Sequence, residues 1–162
     1  MAELTNLEEK LGEVIGLAQG AKAATDKIIK LEDAESVKDV LERMNEEAAE
    51  TERRGTALAS ELEGRKTAIL EKAAETKSKA STMLKTYIDQ ESDALDGFEF
   101  LTMAEAGEVG HWSVLKALNG NAGYSAVAEL VEWALPIQQR HLKGVMDASI
   151  KLADEEDPSE PA

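Results

Sequence analysis

The chain has 162 residues, of which 43% are hydrophobic, and it carries a formal net charge of −15. That length suits one domain with a single core. The negative charge argues against binding to phosphate backbones or to anionic membranes, so we expect neither nucleic acid nor membranes as partners. Because the sequence has no cysteine, disulfides, thiolate catalysis and cysteine-ligated zinc sites are excluded.

The start of the chain carries no sign of export. Residues 1–10 include acidic side chains and no apolar segment, so we expect no signal peptide and a cytoplasmic location. No apolar run approaches the ~20 residues that a membrane-spanning helix needs. Aromatic residues make up only 4%, so aliphatic residues and alanine must build the core, which suits closely packed helices.

Apolar residues recur at three and four positions, which predicts a chain made of helices. Capping signatures mark the first two helices, at Thr5 with Glu8 and at Ser36 with Asp39. The stretch 65–119 has no strong stop, and we expect a break near 90–96, with one kinked helix or two separate helices both possible. The clearest turn is Asn-Gly-Asn-Ala-Gly at 119–123. The predicted helices span residues 5–31, 36–63, 65–90, 93–119 and 125–153.

These elements predict an all-α fold, because no alternating strand pattern occurs in the sequence. We expect an antiparallel four-helix bundle with an extra or extended helix, 65–90, between the second and third bundle helices. Residues 1–153 would form the bundle, and the acidic, proline-bearing residues 154–162 a disordered tail. Pro136 should kink the last helix and free the carbonyl of Glu132.

Charged residues on the apolar stripes are the clearest pointer to chemistry, because charges are rarely buried unless paired or bound to metal. Glu105 and Glu108 fall in register with apolar positions, and His111 follows Glu108 with Glu-x-x-His spacing. Residues three apart are neighbours on a helix surface, so both side chains can reach one metal ion. The same spacing supplies ligands in di-iron and di-manganese bundles.

The last helix repeats this spacing in Gln138 and His141, with glutamine where a carboxylate is wanted. On the second helix Glu47 faces inward, and Glu50 lies one turn further toward the flank. Carboxylate and imidazole ligands together suit iron or manganese, and zinc is also compatible. In a purely structural interpretation the glutamates pair with basic residues and the histidines make ordinary hydrogen bonds. The candidate metal site comprises Glu47, Glu50, Glu105, Glu108, His111, Gln138 and His141, with Glu50 and Gln138 at its margin.

Three segments together resemble the ferritin-like superfamily, especially bacterial ferritin-like stress proteins of similar length. Residues 50–54 (Glu-Thr-Glu-Arg-Arg) are similar to their Glu-Thr-Glu element in the second helix. Residues 104–108, followed by His111 and Trp112, resemble their glutamate-bearing third helix, and residues 135–141 resemble the ligand turn of the fourth. The resemblance implies a metal-binding bundle with a role in oxidative or general stress, and at most an oxidase- or peroxidase-like activity.

The sequence departs from that family in the first helix, which offers Val14, Ala18 and Ala21 inward instead of a carboxylate. Glu13 lies off the stripe, and Gln19 is a weak substitute. A single metal, a half-occupied site and no metal therefore all stay open. For the protein as a whole we expect a homodimer or a monomer. The alternative function is a metal-free helical bundle that dimerises or docks a partner through the alanine-rich stripe of 65–90.

Overall fold

The computed structural model describes residues 3–161, in which five α-helices and one 3₁₀ turn occur and no strand is formed. The all-α class is therefore confirmed. No helix in this part of the chain combines the length and the apolar character that a membrane crossing needs. The helices are α1 (Asn6–Ile28), α2 (Lys38–Glu61), α3 (Lys66–Tyr87), α4 (Ala94–Ala122) and α5 (Ser125–Asp154), and the 3₁₀ turn Ala34–Val37 precedes α2.

One of the two predicted capping signatures is confirmed. The Glu8 amide donates to Thr5 Oγ1 at 3.2 Å, and the Thr5 amide donates to Glu8 Oε2 at 2.8 Å. The second signature, at Ser36, is wrong. Ser36 lies inside the 3₁₀ turn, and Val37 precedes α2 without a side-chain cap. The turn already directs the backbone into α2, so no capping hydroxyl is required.

The stretch 65–119 forms two helices, α3 and α4, separated where the break was expected. An unpredicted capping box begins α4: the Asp96 amide donates to Asp93 Oδ1, and the Asp93 amide donates to Asp96 Oδ2, both at 3.0 Å. Carboxylates at a helix N-terminus also interact favourably with the helix dipole. The segment between the bundle helices is therefore a separate helix, α3, and not an extension of α4.

The predicted turn at 119–123 is shorter than expected, because α4 continues to Ala122. Gly123 then adopts a left-handed conformation with φ of 74°, as glycine commonly does after a helix. The buried side chain of Asn119 reaches across the turn, donating to the Tyr124 carbonyl at 2.9 Å and accepting from its amide at 3.1 Å. These two hydrogen bonds hold the short connection between α4 and α5, so a longer loop is not needed.

Helix α1 packs against α2, α3 and α4, and α5 packs against α4 and α2. Helices α1 and α2 run antiparallel, since Gln19 bonds to Glu52 whereas the earlier α2 residue Asn45 bonds to Asp26. Contacts between α1 and α4, α2 and α5, and α4 and α5 follow the same pattern. Helix α4 runs antiparallel to α1, as the contacts Glu13–His111 and Ile28–Gly97 show. Helix α5 runs antiparallel to α2, through Glu47–Arg140 and Arg54–Trp133. Helix α5 also runs antiparallel to α4, through Glu105–His141 and Asn119–Tyr124.

Helix α3 packs in parallel along α1, through three glycines spaced four residues apart: Gly12, Gly16 and Gly20. A Cβ atom at Gly12 would lie 2.7 Å from the carbonyl oxygen of Ile69, and one at Gly20 would lie 2.8 Å from Ala80 Cβ. Only glycine allows backbones to approach this closely. The spacing of these glycines is visible in the sequence and indicates a close helix contact.

The apolar core is divided into two clusters along the bundle. One contains Ile28, Leu41, Phe98, Leu101 and Val145 among its buried members. The other contains Leu11, Ile15, Ile69, Trp112 and Ala134. Along α4 and α5 the two clusters are separated by a polar layer, which we define as Glu105, Glu108, Gln138 and His141. This group of buried ionisable and amide side chains between two apolar clusters marks the candidate site.

Candidate functional site

The polar layer is built from two antiparallel helices that each place two polar residues three positions apart. Glu105 and Glu108 come from α4, with 1% and 3% of their surface exposed, and Gln138 and His141 come from α5, with 2% and 6% exposed. Positions three apart project from one helix face, so all four side chains enter the interior. The sequence predicts that these four residues face inward, and their burial agrees with this prediction.

Short distances connect the members of the polar layer. With its amide nitrogen toward α4, Gln138 donates to Glu105 Oε2 at 3.0 Å and to Glu108 Oε2 at 3.3 Å. His141 Nδ1 lies 3.7 Å from Glu105 Oε2. The two carboxyl groups, the amide and the imidazole therefore form one contiguous group of donors and acceptors.

Glu47 of α2 lies at the edge of the polar layer, with 18% of its side chain exposed. Its Oε2 atom is 3.7 Å from His141 Nε2, it accepts a hydrogen bond from Arg43 Nε at 2.8 Å, and it pairs with Arg140 of α5. Glu47 thus joins α2 to α5 and faces one nitrogen of the imidazole. Sequence reasoning missed Arg43, although its four-residue spacing from Glu47 is that of a helical ion pair.

Burial changes the protonation of the layer. It raises the pKa of Glu105 from its usual 4.5 to about 8. Burial, together with repulsion from Glu105, holds the pKa of Glu108 well above its usual range. Burial also lowers the pKa of His141, although nearby carboxylates oppose that change. Desolvation disfavours the charged form of each group, so near neutral pH the layer favours neutral carboxyls and a neutral imidazole.

Glu47 behaves differently because basic residues surround it. Burial raises its pKa, but hydrogen bonds from Arg140 and Arg43 and the charge of His141 outweigh this, so the pKa of Glu47 is lowered overall. Glu47 therefore stays ionised near neutral pH, whereas the raised pKa values of Glu105 and Glu108 favour their protonated forms. The layer has a charged edge at α2 and a neutral centre at α4.

Two buried nitrogens have no hydrogen-bond partner within the described residues: His141 Nε2 and Trp112 Nε1. An unpaired buried polar atom is unusual in a folded protein and calls for an explanation. His141 Nε2 faces Glu47 at a distance too long for a hydrogen bond. A small movement of either side chain would bring this nitrogen into contact with the carboxylate.

Two of the seven candidate residues lie away from this layer. Glu50 is exposed and bonded to Arg53 and Arg54, and those hydrogen bonds lower its pKa to about 2. His111 is directed toward α1, where its Nδ1 atom lies 3.1 Å from Lys10 Nζ and 3.2 Å from Glu13 Oε2. The structure therefore brings together Glu47, Glu105, Glu108, Gln138 and His141, and gives Glu50 and His111 other polar partners.

Helix α1 adds no carboxylate to the layer. Val14 and Ala18 are buried and apolar there, as the sequence pattern indicated. Glu13 is half-buried and paired with Lys10 and His111, and Gln19 donates to Glu52 at 2.9 Å. Polar atoms around the layer thus come from three helices, α2, α4 and α5.

Among residues 3–161 no group of three or more histidine, aspartate or glutamate side chains is arranged to hold a metal ion. The polar layer nevertheless contains the donor types that iron and manganese accept, which are carboxylate, amide oxygen and imidazole. Its carboxyls lie beyond ion-pair distance of any described lysine or arginine, and His141 Nδ1 lies 3.7 Å from Glu105 Oε2. These donor types suit such an ion, but the described side chains do not converge on a common point.

Comparisons of the chain with protein-family models, with curated proteins and with solved structures gave no match. The assignment of a function therefore depends on the geometry of the polar layer and on the chemistry of its side chains.

Proposed function

We propose that this chain is a ferritin-like four-helix bundle that binds one divalent transition-metal ion in the polar layer. Helices α1, α2, α5 and α4 contact one another in a closed ring, and each neighbouring pair is antiparallel. Helix α3 lies outside the ring against α1. This arrangement supports a ferritin-like bundle with an inserted helix, and metal sites in such bundles lie in the core between facing helices.

The observation that carries the metal proposal is a pair of buried carboxyls without a cationic side chain. No described lysine or arginine lies within ion-pair distance of Glu105 or Glu108, and the nearest basic group is the imidazole of His141. Buried charges in proteins are paired or coordinate metals. A bound cation would replace the protons that the two carboxyls otherwise hold, and metal binding would release those protons.

The ligands would be Glu105, Glu108 and His141, with Gln138 as the fourth donor. Without a cation, the amide nitrogen of Gln138 faces the carboxyls and donates to them. With a cation, the opposite orientation presents the amide oxygen to the ion as a ligand. Glu47 would orient His141 from its other ring nitrogen, the outer-shell role that carboxylates commonly have beside ligating histidines.

The proposed site holds one metal ion, because α1 contributes apolar Val14 and Ala18 where a second site would need a carboxylate. Iron or manganese suits the donor set, and zinc is compatible. A bound iron or manganese ion would supply one-electron chemistry, and an oxidase- or peroxidase-like role in stress protection is proposed by family analogy alone.

The test exploits the fact that the chain has only two histidines. Metal content is measured by elemental mass spectrometry on wild-type protein purified without chelator, and uptake is measured after adding iron or manganese salts. His141→Ala should lose the metal, whereas His111→Ala, the matched control directed toward α1, should retain it. Loss of metal in neither variant, or to the same extent in both, would refute this ligand set.

A second candidate is a metal-free bundle that dimerises or docks a partner through α3. Because Ile69 and Ala73 of its alanine-rich stripe are buried against α1, the contact would use the part of the helix that stays exposed. It is favoured by Gln138, which can satisfy both carboxyls without any cation. Met83 and Tyr87, which are 47% and 55% exposed, supply apolar surface on the side of α3 that is turned toward α4. Wild-type protein that takes up no iron, manganese or zinc would support this candidate over the first.

A further inference from the structure

A cavity of about 210 Å³ lies between α1, α3 and α4, on the outer side of the polar layer. It exists because small residues face one another there and α3 makes little contact with α4. Met83 and Met103, both substantially exposed, stand at its rim. Flexible methionine side chains adapt readily to different ligand shapes. The small and apolar residues of its wall include Gly20, Ala24, Ala80, Leu84, Leu101 and Gly107.

The same cavity is lined by Glu105 and Glu108, which are 1% and 3% exposed. It therefore has an apolar body and an acidic end. No described lysine or arginine lies within ion-pair distance of that end, where the nearest basic groups are the imidazole of His141, 3.7 Å from Glu105, and His111 in the wall. An apolar pocket with a few convergent polar groups is the usual form of a small-molecule site.

The size and polarity of the cavity define the ligand it fits. An engineered apolar cavity of about 150 Å³ in another protein binds benzene, so this cavity can take a ligand of one ring or a short alkyl chain. An ammonium group has three N–H donors and no acceptor, which matches two carboxyl groups once it displaces the proton that they otherwise hold. The net charge of −15 also attracts cations to the protein.

We propose that this cavity binds a small primary amine, with the ammonium at Glu105 and Glu108 and the apolar group between α1, α3 and α4. This inference goes beyond the metal site and does not rest on it, because it needs only the cavity and the two carboxyl groups. The ammonium and a metal ion would use the same carboxylates and would exclude one another.

The experiment compares two probes that differ in charge, benzylamine and benzyl alcohol. Binding is measured by isothermal titration calorimetry and by protein-detected NMR on the full chain, stripped of metal and kept in chelator. We expect benzylamine to bind at least roughly tenfold more tightly than the alcohol, because its contact with the carboxylates is charge-assisted. In Glu108→Gln this preference should weaken, because only Glu105 remains to contact the ammonium, while the alcohol binds as before.

Two glycines of α4 provide matched variants of the apolar wall. Gly107 lines the cavity and Gly110 does not, and a Cβ atom at either position would meet no atom within 4 Å. Gly107→Leu should therefore fold normally and fill the mouth of the cavity, while Gly110→Leu leaves the cavity open. We expect benzylamine binding to weaken at least roughly tenfold in the first variant and to stay unchanged in the second.

The proposal is overturned if wild type binds the amine no better than the alcohol, or if both glycine variants bind benzylamine equally well. Failure of the metal site would appear separately, as absence of metal in elemental analysis, while amine binding in chelator persists. A weakened amine preference in Glu108→Gln, together with blocked binding in Gly107→Leu alone, would place the ligand in the cavity.

Discussion

The raised pKa values of the polar layer lead to a direct test of its burial, the substitution Glu105→Gln. The folded protein holds a proton on Glu105 up to about pH 8, whereas the unfolded chain releases it above 4.5. Because the folded state binds more protons in this range, the free energy of unfolding falls as pH rises, by ~1.4 kcal/mol per pH unit for this group. A glutamine removes this dependence, since it has no proton to lose.

We therefore expect metal-free Glu105→Gln to become more stable relative to wild type as pH rises, by ~3 kcal/mol between about pH 5 and about pH 7.5. The contribution of His141 opposes that of the carboxyls, because its lowered pKa makes stability fall below pH 6.5. This contribution is common to both proteins and largely cancels in the difference. The measurement is urea unfolding followed by circular dichroism, in chelator, at several pH values.

A suitable control is Glu50→Gln, which changes an exposed carboxylate whose pKa is lowered to about 2 by Arg53 and Arg54. Glu50 is ionised in both the folded and the unfolded chain above pH 5, so its substitution should not alter the pH dependence. Parallel stability curves for wild type and Glu105→Gln would refute the argument. They would mean that the Glu105 carboxylate is hydrated or paired with a cation in the folded protein.

Three further predictions concern the framework, each measured by urea unfolding. Gly12→Ala should destabilise the protein by ~1–3 kcal/mol, because its Cβ would meet a backbone carbonyl of α3, whereas Gly110→Ala should be neutral or stabilise by up to ~1 kcal/mol. Asn119→Ala should lower the free energy of unfolding by ~1–3 kcal/mol, because it leaves the backbone amide and carbonyl of Tyr124 without their partner. An unchanged free energy would contradict the role of this side chain in the turn. Asp93→Ala should remove ~1 kcal/mol by deleting the cap of α4, and an unchanged midpoint would show that solvent caps the helix equally well.

The centre of the candidate site could be predicted from sequence because burial follows helical periodicity. Glu105, Glu108, Gln138 and His141 occupy positions that the apolar stripes of their helices would otherwise fill, and all four are buried. His111 could not be placed in the same way, since its position beside the stripe is compatible with two directions. Its partners Lys10 and Glu13 belong to a distant part of the sequence, so only the packing of α1 on α4 decides between them.

Helix positions were predictable to within a few residues, but their connections were less so. Ser36 has the chemistry of a cap, and the local 3₁₀ turn makes that chemistry unnecessary. The extension of α4 to Ala122 depends on Asn119 bonding across the turn to Tyr124, a contact that the spacing of turn residues does not reveal. Local signals thus located the helices, and tertiary contacts decided where each one ends.

The attachment of α3 has a consequence for how the molecule moves. This helix buries few side chains, chiefly Ile69, Ala73 and Leu84, and its main neighbour is α1. Segments with few buried apolar contacts open at lower free energy than the global unfolding of a protein. In native-state hydrogen exchange the amides of α3 should therefore exchange earlier than those of α4. Each such opening would remove one wall of the cavity and admit molecules too large for its closed form.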